Sequence, residues 1–419
     1  MVLPIPLWHK RMYSTGRNKI GMRDSKARMR ILIVKDGLRW MGLTEAWESH
    51  GYEVLADKWN LDELTEQRAL QIIRRLKHQE NCKLVFSIHF LAGISNACKV
   101  LGILYISWVV DSPHIHLFMR EAHNSVNRIF SFDVAQCNML WAHGYEHVYH
   151  LPCCVGTDTV KEIIANDGGK RRERYGSDVA FVGALYDQPP RNMYDEISYL
   201  SAFIRGYLTA AIEAQRLVWG ENIVHKTLQK SVLDEIRKYV RTELQSEFEE
   251  GYYLSFLEGM IHKKIAQLER KAMCDGLAER FNFALYSGSD TTYNPRIQNR
   301  GVADYRKEMP LIFYYSKINI NITLHSIETG IPLRVMDILA CGGFCLTNYQ
   351  AEIAEYFEDG KDLVIYSDFE DMYDKIDYYL NHEEERKQIA KTGQAKVREF
   401  FDITDGVGRM IEVLKEEEK

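Results

Sequence analysis

The sequence predicts an α/β protein: two Rossmann-like, doubly wound domains facing a cleft, the second carrying a helical insertion. Three observations predict it. Short β-branched runs alternate with helical patterns from Met29 onward, as parallel sheets flanked by helices require. The rhythm breaks over residues 156–177 and restarts at "DVAFVGALYD". Residues 190 to about 280 hold helical patterns and no convincing strand. A chain of 419 residues has room for two or three domains.

The first alternation opens with "RILIVKDG", an apolar run ended by Gly37. "TEAWESHG" follows as a helix closed by Gly51, then "YEVLADKW" as a strand. "LTEQRALQIIRRLKH" has the 3.6-residue period of an amphipathic helix. "KLVFSIHF", "ISNACKVLG" and "ILYISWVVD" read as strand, helix and strand. "RIFSFDVAQCNMLWAHG" gives strand, turn and helix, and "HVYHLPCCV" one more strand. Residues 29–175 are therefore expected as the first domain, ending in the polar, glycine-bearing linker "GTDTVKEIIANDGGKRRERYGS". The second, 176–400, adds the strands "FNFALYSGS", "ININ", "FCLTN" and "DLVIYS" around the insertion at about 190–280. Residues 401–419 read as a helical tail. Residues 1–28 are basic and aperiodic, and read as a disordered or non-native arm rather than a signal peptide.

Composition narrows the function. With 46% apolar and 27% charged residues the chain is of the ordinary globular type. A net charge of -6 argues against a general nucleic-acid binder. No stretch approaches the roughly 20 apolar residues of a membrane span. The eight cysteines form no Cys-x-x-Cys pair and no zinc-finger spacing. Reduced structural thiols in a reducing cytoplasm are expected, and no metal site.

The most informative stretch is "GIPLRVMDILACGGFCLTN", residues 330–348. Its first half has helical spacing, its second reads as a buried strand, and Gly342-Gly343 separates them. The expected helix start, Gly330-Ile331-Pro332-Leu333, presents free N–H groups and a partial positive charge, which suit phosphate. Arg334 adds a forked cation for a diphosphate. Asp337, three residues on, lies on the same side and suits a ribose diol. An Arg–Asp salt bridge on a half-buried helix is the competing explanation.

The block "SKINININITLHSIETGIPLRVMDILACGGFCLTNYQAEIAEYFEDGKDLVIY", with "WVVDSPHI" and "DVAFVGALYD", resembles the CgeB-type (spore maturation protein-like) family. The likeness to that family, and to its glycosyl transferase group 1-like C-terminal domain, spans most of residues 100–400. It implies a GT-B fold and transfer of a sugar from a nucleotide-sugar donor, UDP- or another NDP-sugar, with no cofactor required. It aligns Asp337 with an acidic residue that binds the donor ribose in related enzymes, where a glutamate is usual. A further glutamate of those enzymes falls at Thr329, with Glu328 as its neighbour. Relatives suggest an acceptor in a spore component, a polysaccharide or a surface protein such as flagellin.

Other positions have two explanations each. Lys317 reaches a diphosphate or is a solvated lysine at a strand start. Asn319 and Asn321 share one face, binding polar groups in a cleft or closing a local turn. Gly183 and Gly288 follow short strands, where a bare turn approaches a ligand or merely turns. Tyr305 stacks on a base or packs. Asp111 ends an apolar strand as an acceptor-activating base or an Asx-type turn before Pro113. His89 is the second candidate base, or structural, and His114 and His116 follow Asp111. The expected protein is a cytoplasmic bacterial glycosyltransferase without transmembrane segment or nucleic-acid partner. A nucleotide-sugar epimerase and a non-catalytic nucleotide-sugar or partner-binding module are the alternatives.

Overall fold

The apolar runs become two six-stranded parallel sheets. A computed structural model of the chain describes residues 29–35, 41–58, 65–188, 193–197, 199–240 and 251–417. The arm 1–28 and residues 241–250 of the insertion lie outside the described residues. In the first sheet, β1 (Met29–Lys35), β2 (Tyr52–Lys58), β3 (Cys82–Ile88), β4 (Leu104–Val109), β5 (Asn127–Ser131) and β6 (Val148–His150) take the order β2-β1-β3-β4-β5-β6. In the second, β7 (Val179–Val182), β8 (Phe283–Tyr286), β9 (Gln298–Asn299), β10 (Ile318–Asn321), β11 (Cys345–Asn348) and β12 (Val364–Tyr366) take the order β12-β11-β10-β7-β8-β9. Helices cover both faces of each sheet, so central strands are buried throughout. Tyr105 to Val109 are all buried, which is why β4 reads as an unbroken apolar run.

The second sheet grows away from β7 in both directions, so its order reverses between β7 and β10. Open α/β sheets bind ligands outside the carboxyl ends of the strands at such a reversal. The two-residue β9 is too short for any periodic signal and went unforeseen.

Between β7 and β8 the chain leaves the sheet for the helices Ala202–Gln215, Ile223–Thr227, Lys230–Arg237 and Gly251–Arg280. They enclose their own core of Ile204, Leu208, Ile212, Val224, Leu257 and Ile265. The far end of the 30-residue helix returns Met273, Cys274 and Leu277 to the core of the second sheet. The first of these helices begins at Ala202, where the Ser201 hydroxyl caps it by accepting the Ile204 N–H at 3.3 Å.

The expected linker is largely helix, Thr157–Asp167 and Arg172–Tyr175. Its polar composition hides one buried stripe, Val160 with Ile163 and Ile164 behind it. Asp167 locks its end by accepting the Tyr315 hydroxyl at 2.6 Å. The tail folds as the helix Ile403–Glu417 and crosses back to the first sheet. There Ile403, Val407, Met410 and Ile411 pack with Trp47, Trp108 and Phe130. Among the described residues no helix is long and apolar enough to cross a membrane.

Candidate functional site

A cavity of about 350 Å³ opens at the carboxyl ends of β7 and β8. Gly183 and Tyr186 line it after β7, Ser287 and Gly288 after β8, and Arg334 reaches it from the helix Leu333–Ala340 that follows β10. These three connections flank the topological reversal. A Cβ on Gly183 would sit 3.1 Å from the Phe181 ring, so the turn stays bare. Tyr186 holds a left-handed backbone, φ 58, which a tyrosine adopts only where its surroundings enforce it.

Arg334 and Asp337 do come to one side of their helix, yet among the described residues no ion pair joins them. Asp337 accepts the Tyr305 hydroxyl at 3.0 Å instead. Burial raises the Asp337 carboxyl to about 7, against the opposing pull of the Arg334 charge and the Tyr305 bond. Arg334 lies over the Phe313 ring, 5.5 Å from its centroid, with Met309 Sδ 2.8 Å from Nη1. A cation whose carboxylate neighbour is bonded elsewhere remains available to an anionic ligand.

The loop before this helix differs from expectation. Gly330, Ile331 and Pro332 are buried, and Pro332 stands before the helix rather than in its first turn. Asp133, from the first unit, fills the anion-binding bend. It accepts the N–H groups of Glu328 at 3.2 Å, Thr329 at 3.3 Å and Gly330 at 3.2 Å, and the Thr329 hydroxyl at 2.6 Å. A carboxylate thus occupies the place expected for phosphate. Glu352 lies on the other side, accepting the Val134 N–H at 2.9 Å, with Thr329 Oγ1 and His150 Nε2 each 2.9 Å from its carboxylate. Glu328 is partly buried, and burial and the Asp133 charge raise its pKa.

Two further positions fall away from the cavity. Lys317 precedes β10, so it lies at the amino end of the strand, opposite the cavity, and pairs with Asp178 at 2.7 Å. Asn319 is fully buried and donates to Phe313 O at 3.0 Å, so it ties a turn rather than meeting a cleft.

Arg270 was missed. Its Nη1 donates to Ala184 O at 2.7 Å and its Nη2 to Ile322 O at 2.8 Å, clamping the β7 loop to the end of β10. It also lies 4.9 Å from the Tyr186 ring centroid. The signal was present: Ile265, Glu269, Arg270, Met273 and Leu277 share the buried phase of one helix. Charges on a buried face need partners, and Glu269 finds His325 at 2.8 Å.

The carboxyl ends of the first sheet carry a second group of polar side chains, none of which lines the cavity. His89 follows β3, Asp111 follows β4, and His114 and His116 come next along the chain. The His89 and Asp111 side chains approach to 3.5 Å, Asp111 being 70% exposed. Burial pushes His114 well below the usual histidine range, and the neighbouring imidazoles of His89 and His116 add to it. Buried Cys153 is raised well above the usual thiol range by burial, then by charges on Cys154, Asp337, Glu352 and Asp111.

Residues 267–411 match the protein family described as glycosyl transferase-like. Over that stretch, short of half the chain, the sequence is similar to glycosyl transferases. Among solved structures, sucrose-phosphate synthase from Thermosynechococcus elongatus is similar at 9% identity and a TM-score of 0.50, over 93% of this chain and 100% of that one. Anabaena HepE in complex with UDP-glucose gives 12% identity and 0.49, over 93% and 100%. An α,α-trehalose 6-phosphate synthase from Burkholderia multivorans gives 12% and 0.48, over 93% and 99%. The architecture is that of GT-B glycosyltransferases, two Rossmann-like units in series. No curated protein sequence matches the chain. The glycosyl transferase-like region contains Arg334, Asp337, Tyr305 and Arg270, but not Gly183.

Proposed function

We propose that this protein moves a sugar from a nucleotide-sugar donor, held by the second unit, to an acceptor hydroxyl presented at the first. One observation carries the reading: Arg334, in no ion pair among the described residues, on the wall of a cavity at the strand reversal, with Asp337 one turn deeper. The cavity volume falls within the roughly 300–1,000 Å³ of small-ligand sites.

Arg334 offers two parallel donors to a diphosphate and offsets the charge that builds on it as the sugar C1–O bond breaks. Asp337 accepts the ribose hydroxyls, taking over from the Tyr305 hydroxyl. Arg270 holds the Gly183–Tyr186 turn in place for close approach. At the ends of β3 and β4 Asp111, with His89 beside it, receives the acceptor hydroxyl proton as the oxygen attacks C1. Orientation across the cleft supplies the rest of the rate. The acceptor belongs to the class suggested by the CgeB-type resemblance: a surface protein such as flagellin, a spore component or a polysaccharide, glycosylated in the cytoplasm.

Calorimetric titration with UDP- and other NDP-sugars, followed by incubation with donor alone, tests this. Saturable binding with slow donor hydrolysis and no isomerised sugar is expected. An isomerised sugar nucleotide makes the protein an epimerase. Binding with neither hydrolysis nor transfer makes it a binding module.

A further inference from the structure

We propose that His89, Asp111 and His114 form a site for one divalent transition-metal ion of the zinc class, open to the cleft. Ligand atoms from the three residues lie within 4.8 Å of one another. They come from the ends of adjacent parallel strands, β3 and β4, whose register is fixed by the sheet. Two imidazoles and a carboxylate are the donor set that zinc and its neighbours favour.

The spacing argues for an ion rather than a simple His–Asp dyad. His89 Nε2 and Asp111 Oδ2 are 3.5 Å apart. That exceeds the roughly 2.7–3.2 Å of a good hydrogen bond. It is close to the ~3.4 Å separating two ligands around a tetrahedral ion with bonds of ~2.1 Å. The rings of His89 and His114 lie with centroids 5.1 Å apart and planes within 16°.

A supporting layer holds the three in place. His89 takes a left-handed backbone, φ 61, fixed by its N–H to Trp108 O at 2.8 Å and by the Ser87 hydroxyl on its carbonyl at 2.7 Å. Buried Gln136 accepts the His114 N–H at 2.7 Å and donates to Asp111 O at 3.3 Å, so it sets the spacing of the two. His114 Nε2 faces Phe90 O at 3.3 Å, a backbone-carbonyl anchor of the kind that orients metal-bound imidazoles, and this leaves Nδ1 for the ion. The exposure of Asp111 leaves coordination positions open on the solvent side, as in catalytic rather than structural sites. If the sugar-transfer reading holds, an open position takes the acceptor hydroxyl and makes its proton more acidic, and the Asp111 carboxylate oxygen that does not bind the ion receives that proton. The site itself does not depend on that reading.

The test titrates the chelator-stripped full chain with Zn²⁺ and with Co²⁺, without donor. One equivalent should bind, and bound Co²⁺ should show ligand-field absorption of a low-coordinate N/O site without thiolate charge transfer. His114→Ala should weaken binding at least ~100-fold. Gln136→Ala should weaken it about tenfold. Substitution of exposed His143 by Ala should leave it unchanged. Asp111→Asn, an exposed near-isostere that spares the core, tests the same ligand set if a histidine variant unfolds. Affinity unaltered in Asp111→Asn and His114→Ala, no binding by the native chain, or a thiolate spectrum from the buried cysteines would each overturn the proposal.

Discussion

Asp337 is held neutral or charged by the smallest of margins near neutral pH. Burial raises its pKa from an ordinary 3.8 to about 7. The folded chain then keeps a proton that the unfolded chain has released across the window between those values. Stability falls as pH rises through that window and falls no further above it. Thermal unfolding from pH 4.5 to 8.5 should show this slope, and Asp337→Asn should flatten it. Nucleotide-sugar affinity should run the opposite way, rising up to about pH 7, because the ribose diol needs the ionised carboxylate. Arg334→Ala should cost about 1.5–3 kcal/mol of donor binding, the range for a hydrogen bond to a charged group, read by calorimetry at pH 8. Both residues were legible in the sequence because they break an apolar helix on one face. Lys317 was misread because proximity along the chain ignores direction. A residue just before β10 is at the amino end of a parallel strand, and the cavity is at the other.

At the scale of elements, the loop 328–330 depends on a partner almost two hundred residues away, and no local pattern announces it. Asp133→Ala should leave three N–H groups without their acceptor. We expect a loss of about 1–3 kcal/mol in chemical denaturation and faster hydrogen exchange confined to the loop and the start of the Leu333–Ala340 helix. Unchanged exchange there would contradict the assigned bonds. Gly330 tolerates no side chain, since a Cβ would lie 2.9 Å from the Phe132 ring and 3.0 Å from Asp133 Cα. Gly330→Val should therefore cost about 1–3 kcal/mol through overpacking. The insertion was readable as helix, but its capping at Ser201 and the role of Arg270 needed the tertiary partners. So did the helical character of residues 157–167, where one apolar stripe is masked by charge.

For the whole molecule, alternation alone disclosed two parallel sheets, because strands buried on both faces leave long apolar runs between helical periods. What joins the units was not disclosed. The His150–Glu352 pair is buried and spans both, and removing one partner strands the other without water. Glu352→Ala should destabilise the chain by about 3–5 kcal/mol, with the unfolding transitions of the two units moving apart in calorimetry. The crossing helix Ile403–Glu417 acts as a strap, its apolar face buried on the first unit. The strand reversal at β7 and β10 holds the cavity, and the ends of β3 and β4 hold the proposed acceptor side. A crystal structure with a bound nucleotide sugar bears most directly on that cavity as a donor site. The expected result is a diphosphate at Arg334, the ribose on Asp337 and the nucleotide within the cavity beside Gly183. A nucleotide seated elsewhere, with Arg334 and Asp337 untouched, would contradict it.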